Sequence, residues 1–217
     1  MKTGKIEIVA LLDRSGSMNS IKEATVEGFA EFILAQSKLP GEVSLTLVQF
    51  DSCALEPGAK DRVNIDTVFS GIKAADMPKV ELVPRGCTPL LDAMGTVIKD
   101  FGARLASLSE DDRPEHVLFL VMTDGHENAS RVYSREQIKA MVEHQQDVYK
   151  WTFTFIGAGI DAFAGAGSVG IPLANSVGVR ATGQGVKAAY AHVNLASSNL
   201  RYGSGYQGGG MGTQDPV

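Results

Sequence analysis

The chain is short of cysteine, with only Cys53 and Cys87 among 217 residues. Two thiols cannot build a disulfide framework, and their spacing is not that of a metal finger. Both are expected to be free in a reducing compartment; a redox link between them is the disfavoured alternative, raised only because both should lie toward one end of the fold. Excess positive charge is also missing: 20 Lys and Arg stand against 25 Asp and Glu, for a net charge of -5 and a pI of about 5.4. Nothing in that balance recruits phosphate backbones, so nucleic acid is not an expected partner. No apolar run approaches the roughly 18 residues of a membrane span, and Met1-Lys2-Thr3-Gly4-Lys5 leads directly into the first apolar segment without a signal pattern. A cytoplasmic protein without a membrane partner is the expectation. GxxxxGK[ST], CxxC and HExxH are all absent, which removes phosphate-loop and zinc readings. Gly165, Gly167 and Gly170 match GxGxxG formally, yet no Asp or Glu occurs from residue 162 to 214, and the dinucleotide fingerprint needs an acid about 20 positions on. Those glycines are read as close-packing or loop residues.

What is present is enough apolar material for a core, 44% of residues in 23.0 kDa. One domain over residues 1–200 is expected, then a glycine-rich tail, 201–217, whose sequence RYGSGYQGGGMGTQDPV has too few apolar residues to fold alone. The tail reads as a flexible linker in preference to a ligand. Ile6 to Leu12, Val43 to Phe50, Val117 to Met122 and Trp151 to Ile156 are continuous apolar runs, too uniform for a sheet with one wet face. Helical stripes lie between them: Ile21, Phe29, Phe32 and Ile33; then Leu90, Leu91, Met94, Val97, Ile98 and Phe101; then Ile138, Met141 and Val142. A short strand near Ser176 to Val179 and a last stripe, Val186, Ala189, Tyr190, Val193 and Ala196, close the pattern. The fold class is therefore α/β, doubly wound, with a mainly parallel central sheet, helices on both faces and one short antiparallel edge strand around Val63 to Ile65.

Oxygen donors gather where these strands end. Asp13-Arg14-Ser15-Gly16-Ser17 closes the first apolar run, Thr88 opens a helical pattern after Gly86 and Cys87, and Asp124-Gly125 closes the run ending in Met122-Thr123. Ligands of doubly wound sheets collect at the carboxyl ends of the strands, so the fold and the donor set point to one place. Two carboxylates with three hydroxyls suit Mg²⁺, a hard cation that prefers oxygen and takes few carboxylates. Gly16 leaves out a side chain where the backbone must bend. Each residue also has a plainer use. Asn19 or Ser20 would cap a helix beginning near Ile21, Thr88 would cap the helix that Pro89 opens, and Asp51 would sit in a turn. Asp92 is a helix-face residue or an acceptor behind the donors, and His126 and Glu127 are exposed loop polarity or, in an enzyme, a base or extra ligand.

The DxSxS strand end, the distant Thr88 and the distant Asp124-Gly125 resemble the metal-ion-dependent adhesion site of the von Willebrand factor A family. Leu47-Val48-Gln49-Phe50-Asp51, Pro84 to Leu91 and Met122 to Ser134 extend the likeness to small stand-alone A-domain proteins of bacteria and their phages. The resemblance implies an adhesion-site metal held by Asp13, Ser15, Ser17, Thr88 and Asp124, with Mg²⁺ preferred and Mn²⁺ or Ca²⁺ as alternatives. Ser15 and Ser17 would bind it directly, Thr88 directly or through water, and the aspartates largely through water. A partner protein's Asp or Glu would be the sixth ligand. The expected function is Mg²⁺-dependent protein binding without catalysis. The competing readings are a metal-dependent hydrolase or phosphatase, disfavoured because Ser15 stands where aspartyl-nucleophile phosphatases need a second carboxylate, and a scaffold whose metal only ties the loops together.

Overall fold

A run apolar at every position is stable as a strand only when both faces are covered, and this chain provides the covering in two layers. The computed structural model describes residues 2–54 and 62–201. Its strands are β1 (Lys2–Asp13), β2 (Glu42–Cys53), β3 (Arg62–Lys73), β4 (Pro114–Thr123), β5 (Thr152–Ala158) and β6 (Ser176–Val179). They form one sheet in the order β3-β2-β1-β4-β5-β6, parallel throughout except for β3 at the edge. Its α-helices are α1 (Lys22–Ser37), α2 (Leu90–Ser107), α3 (Arg135–Tyr149), α4 (Ala162–Ser168) and α5 (Gly183–Arg201). The fold is the doubly wound α/β arrangement expected from the sequence.

Alternate residues of the central strands enter two separate cores. Ile8, Ala10 and Leu12 of β1 join Leu118, Leu120 and Met122 of β4 under α1 and α5, where Phe29, Phe32 and Tyr190 are buried. Val9 and Leu11 join Val117, Phe119 and Val121 on the opposite face, under α2, α3 and α4. The first layer is tightly fitted at one point: a Cβ on Gly28 of α1 would come within 2.6 Å of the Tyr190 ring on α5. Among the described residues no helix is long and apolar enough to cross a membrane.

Several local expectations change. The edge strand around Val63 to Ile65 is 12 residues long, and a 3-10 turn at Ala74–Asp76 follows it. Most β3 side chains are partly or fully exposed, which explains why only a fragment stood out by hydropathy. Asn19 and Ser20 cap nothing: Gly16–Ser20 is a 3-10 turn, and α1 begins behind Ile21 with no side-chain cap. Thr88 is not a cap either, since Pro89 occupies the N-cap position of α2. By contrast, α3 starts with a reciprocal Ser134–Gln137 capping box. Gly165 lies inside α4 against Phe155, and Gly170 takes a positive φ of 79°, both structural uses of the glycine pattern. Of the tail, Arg201 ends α5 and residues 202–217 lie outside the described residues.

Candidate metal centre

Strand order reverses beside β1, whose neighbours β2 and β4 lead outward in opposite directions. The carboxyl ends of β1 and β4 therefore flank the crevice where doubly wound sheets hold ligands. Asp13 is the last residue of β1, and Asp124 follows the last residue of β4.

The first loop folds back on Asp13. The Ser15 amide donates to Asp13 Oδ1 at 2.7 Å, and the Ser15 and Ser17 hydroxyls lie 3.1 Å apart. Met18, fully buried, anchors the turn from below. The second loop is sewn to the first and to β2. Arg85 N–H donates to the Arg14 carbonyl at 2.8 Å, Gly16 N–H to the Gly86 carbonyl at 3.0 Å, and Ser52 and Cys87 exchange two 3.0 Å backbone bonds. Gly86 has φ +63°, and a Cβ there would overlap the Ser52 carbonyl, so only glycine lets the chain pass this close. The third loop is tied to both. Ser17 Oγ donates to Asp124 Oδ1 at 2.6 Å, Thr123 Oγ1 to Asp13 Oδ2 at 2.5 Å, and the Thr88 amide to Asn128 Oδ1 at 2.9 Å.

These links bring Asp13, Ser15, Ser17, Thr88 and Asp124 together. The space between them is marked by Gly125. A Cβ built there would stand 2.7 Å from Thr88 Oγ1, 3.5 Å from Ser17 Oγ and 3.7 Å from Asp13 Oδ2. Three oxygens from the first two loops thus face a cradle floored by Gly125 of the third, which any residue but glycine would fill. The donor chemistry fits a hard divalent cation: all donors are oxygen and only two are carboxylates. Among the described residues no group of three or more His, Cys, Asp or Glu is placed to hold a metal ion.

The electrostatics fit as well. Asp13 is 0% exposed and Asp124 partly buried, and neither has a cationic side chain in salt-bridge range among the described residues. Burial pushes Asp13 up to about 6, against hydrogen bonds from Thr123 and Ser15 that favour the anion, and the nearby Asp124 charge adds to the rise. Asp124 is raised too, again by burial and against its Ser17 bond.

The neighbouring residues divide clearly. Asp92, in the first turn of α2, spends its carboxylate on the amides of Arg131, Val132 and Tyr133, and so pins the loop after β4. Glu127 accepts from the Leu91, Ala129 and Ser130 amides and the Ser130 hydroxyl. His126 is exposed. Asp51 is no turn residue: it lies within β2, 0% exposed, as the acceptor of a buried ion pair with Arg14. Both thiols are free, Cys53 half-buried and Cys87 exposed. Sequence reasoning missed Thr123, Asn128 and Arg14. Their signal was adjacency alone, since Thr123 precedes Asp124 and Arg14 sits inside the donor run.

No protein-family model and no curated protein sequence matches the chain. Solved structures do. Proximal thread matrix protein 1 from the mussel byssus aligns with TM-score 0.61 at 14% identity over 91% of this chain and 49% of its own. A von Willebrand factor type A structure from Catenulispora acidiphila aligns with TM-score 0.56 at 12% identity over 90% and 43%. The pilus adhesin SpaC from Lactobacillus rhamnosus GG, in its open conformation, gives 0.62 at 13% over 90% and 30%. This chain spans half or less of the length of those proteins. The fold is von Willebrand factor A-like. The mussel protein is also known with a zinc-occupied metal-ion-dependent adhesion site.

Proposed function

We propose that this protein is a cation-dependent protein-binding module, in which Asp13, Ser15, Ser17, Thr88 and Asp124 hold Mg²⁺ and the metal engages an Asp or Glu of a partner. The observation that carries the reading is the Gly125 cradle: oxygens of Asp13, Ser17 and Thr88 converge from two loops on the glycine of a third, beside a fully buried carboxylate that has no cationic side chain in salt-bridge range among the described residues. The exposed Ser17 and half-buried Asp124 leave that space open on one side, where a partner's carboxylate would complete the metal's shell. The adhesin and matrix-protein neighbours support protein binding as the general task.

The proposal is non-catalytic. Glu127, one of the two residues an enzymatic reading would enlist beside His126, already has both carboxylate oxygens engaged by four hydrogen bonds within its own loop and α2. A cytoplasmic setting belongs to the proposal too, supported by the exposed free thiol of Cys87. The test is capture of Asp- and Glu-bearing peptides by immobilised protein in Mg²⁺ or in chelator. Binding that requires both Mg²⁺ and Asp124 is the expected result; peptide capture that survives chelation and Asp124→Ala would remove the metal from the function.

A further inference from the structure

Arg14 interrupts the donor run between Asp13 and Ser15, and its side chain runs away from the cradle. Nε donates to Asp51 Oδ2 at 2.6 Å, and Nη2 lies 2.5 Å from the same oxygen and 2.6 Å from Asp66 Oδ2. Arg85, three residues before Thr88 and 37% exposed at its side chain, donates its own Nε to Asp51 Oδ2 at 3.0 Å. The other Asp51 oxygen accepts from Asn64 Nδ2 at 2.7 Å and the Cys53 thiol at 3.2 Å. One carboxylate is thereby shared by two guanidiniums, each belonging to a loop that carries candidate ligands.

Without Asp51, the two arginines would face each other with Asp66 as their remaining counter-charge. Two guanidiniums close enough to share one carboxylate oxygen repel each other in a part-buried setting once that oxygen's charge is gone. The loops would separate where Arg85 N–H meets the Arg14 carbonyl and Gly16 N–H meets the Gly86 carbonyl, the two bonds that set Ser15 and Ser17 against Thr88. Unneutralised positive charge would also stand beside the cation.

We propose that Asp51 is a positioning residue of the cation site, holding the Ser15–Ser17 loop and the Thr88 loop together through Arg14 and Arg85 and cancelling their charge. This rests on the metal reading above. A built-in control exists in the same sheet. Glu7 of β1 is another buried carboxylate paired with an arginine, Arg104 at 2.7 Å, with Ser44 and Thr46 as further donors, but it lies six residues along the strand from Asp13.

Mg²⁺ is titrated into the full chain after chelation, for wild type, Asp51→Asn, Arg85→Gln, Glu7→Gln and Asp13→Asn, with urea unfolding of each metal-free protein alongside. Asp51→Asn is expected to weaken Mg²⁺ binding at least about tenfold, the scale seen when groups that orient metal ligands are removed. Arg85→Gln, whose more exposed side chain makes it the safer variant to fold, weakens it in the same direction by less. Glu7→Gln loses stability and keeps its affinity. Unchanged affinity in Asp51→Asn, or in Arg85→Gln where Asp51→Asn does not fold, overturns the positioning role, as does an equal loss in Glu7→Gln. Wild type that binds no Mg²⁺ overturns the metal reading and this one together; binding lost in Asp13→Asn but kept in Asp51→Asn overturns this one alone.

Discussion

Asp13 and Asp51 are two fully buried carboxylates at the ends of adjacent parallel strands, with Asp13 paired in register to Phe50. Asp51 has two guanidiniums. Burial would raise its pKa, but hydrogen bonds from Asn64, Cys53 and Arg85 and the charge of Arg14 outweigh that and hold it below the ordinary range. Asp13 has a hydroxyl, an amide and no cation, and is pushed up to about 6. The chain supplies positive charge on one side of β1 and withholds it on the other. A buried carboxylate left without a partner costs stability unless something brought from outside completes it, and the hydroxyls crowded around Asp13 are what a hard cation would use.

The contrast can be broken from the paired side with the largest expected effect. Arg14→Met removes the innermost counter-charge of Asp51, and leaving a buried charge short of its partner costs about 3 kcal/mol; urea unfolding of the chelated protein measures it. On the unpaired side the sign reverses. Asp13→Asn removes an anion that burial disfavours, so the chelated variant should be more stable than wild type at pH 7.5, by roughly 2–3 kcal/mol, because burial lifts the Asp13 carboxyl from 3.8 to about 6. Because the folded value lies above the unfolded 3.8, the folded state binds more protons between there and about 6. Metal-free wild type therefore loses stability from Asp13 as pH rises through that window, and Asp13→Asn should lack this decline. Asp51 runs the other way: its contribution is present above its unfolded pKa and is lost as pH falls through its lowered folded value. The smallest effect on stability belongs to Gly125→Ala, whose new methyl meets the Thr88 hydroxyl at 2.7 Å. About 1 kcal/mol is expected in unfolding, together with loss of most Mg²⁺ affinity by titration, because the methyl occupies the cradle.

The same contrast shows what the sequence could and could not reveal. Core strands were legible because burial on both faces writes unbroken apolar runs, as in Ile6 to Leu12. β3 was legible only in part, since an edge strand with most side chains exposed need not be apolar. Asp13, Ser15, Ser17, Thr88 and Asp124 could be singled out because donor residues recur at strand ends in an order that resembles a known family. The Asp51 cluster could not. Arg14, Asp51, Asp66 and Arg85 spread over 72 residues, and only the β1–β2 register and the antiparallel return of β3 bring them into contact. The capping expectations failed for a related reason. Asn19 or Ser20 and Thr88 were judged as caps of α1 and α2 by local spacing, whereas residues 16–20 close into a 3-10 turn and Thr88 faces a third loop that arrives from β4.

The most direct test is isothermal titration of Mg²⁺ into chelated wild type and chelated Asp13→Asn, both confirmed folded by circular dichroism. One saturable site in wild type, lost or greatly weakened in the variant, is the expected result. Equal Mg²⁺ affinity in the two, or none in either, would contradict the view that the unpaired carboxylates at the ends of β1 and β4 exist to hold a cation.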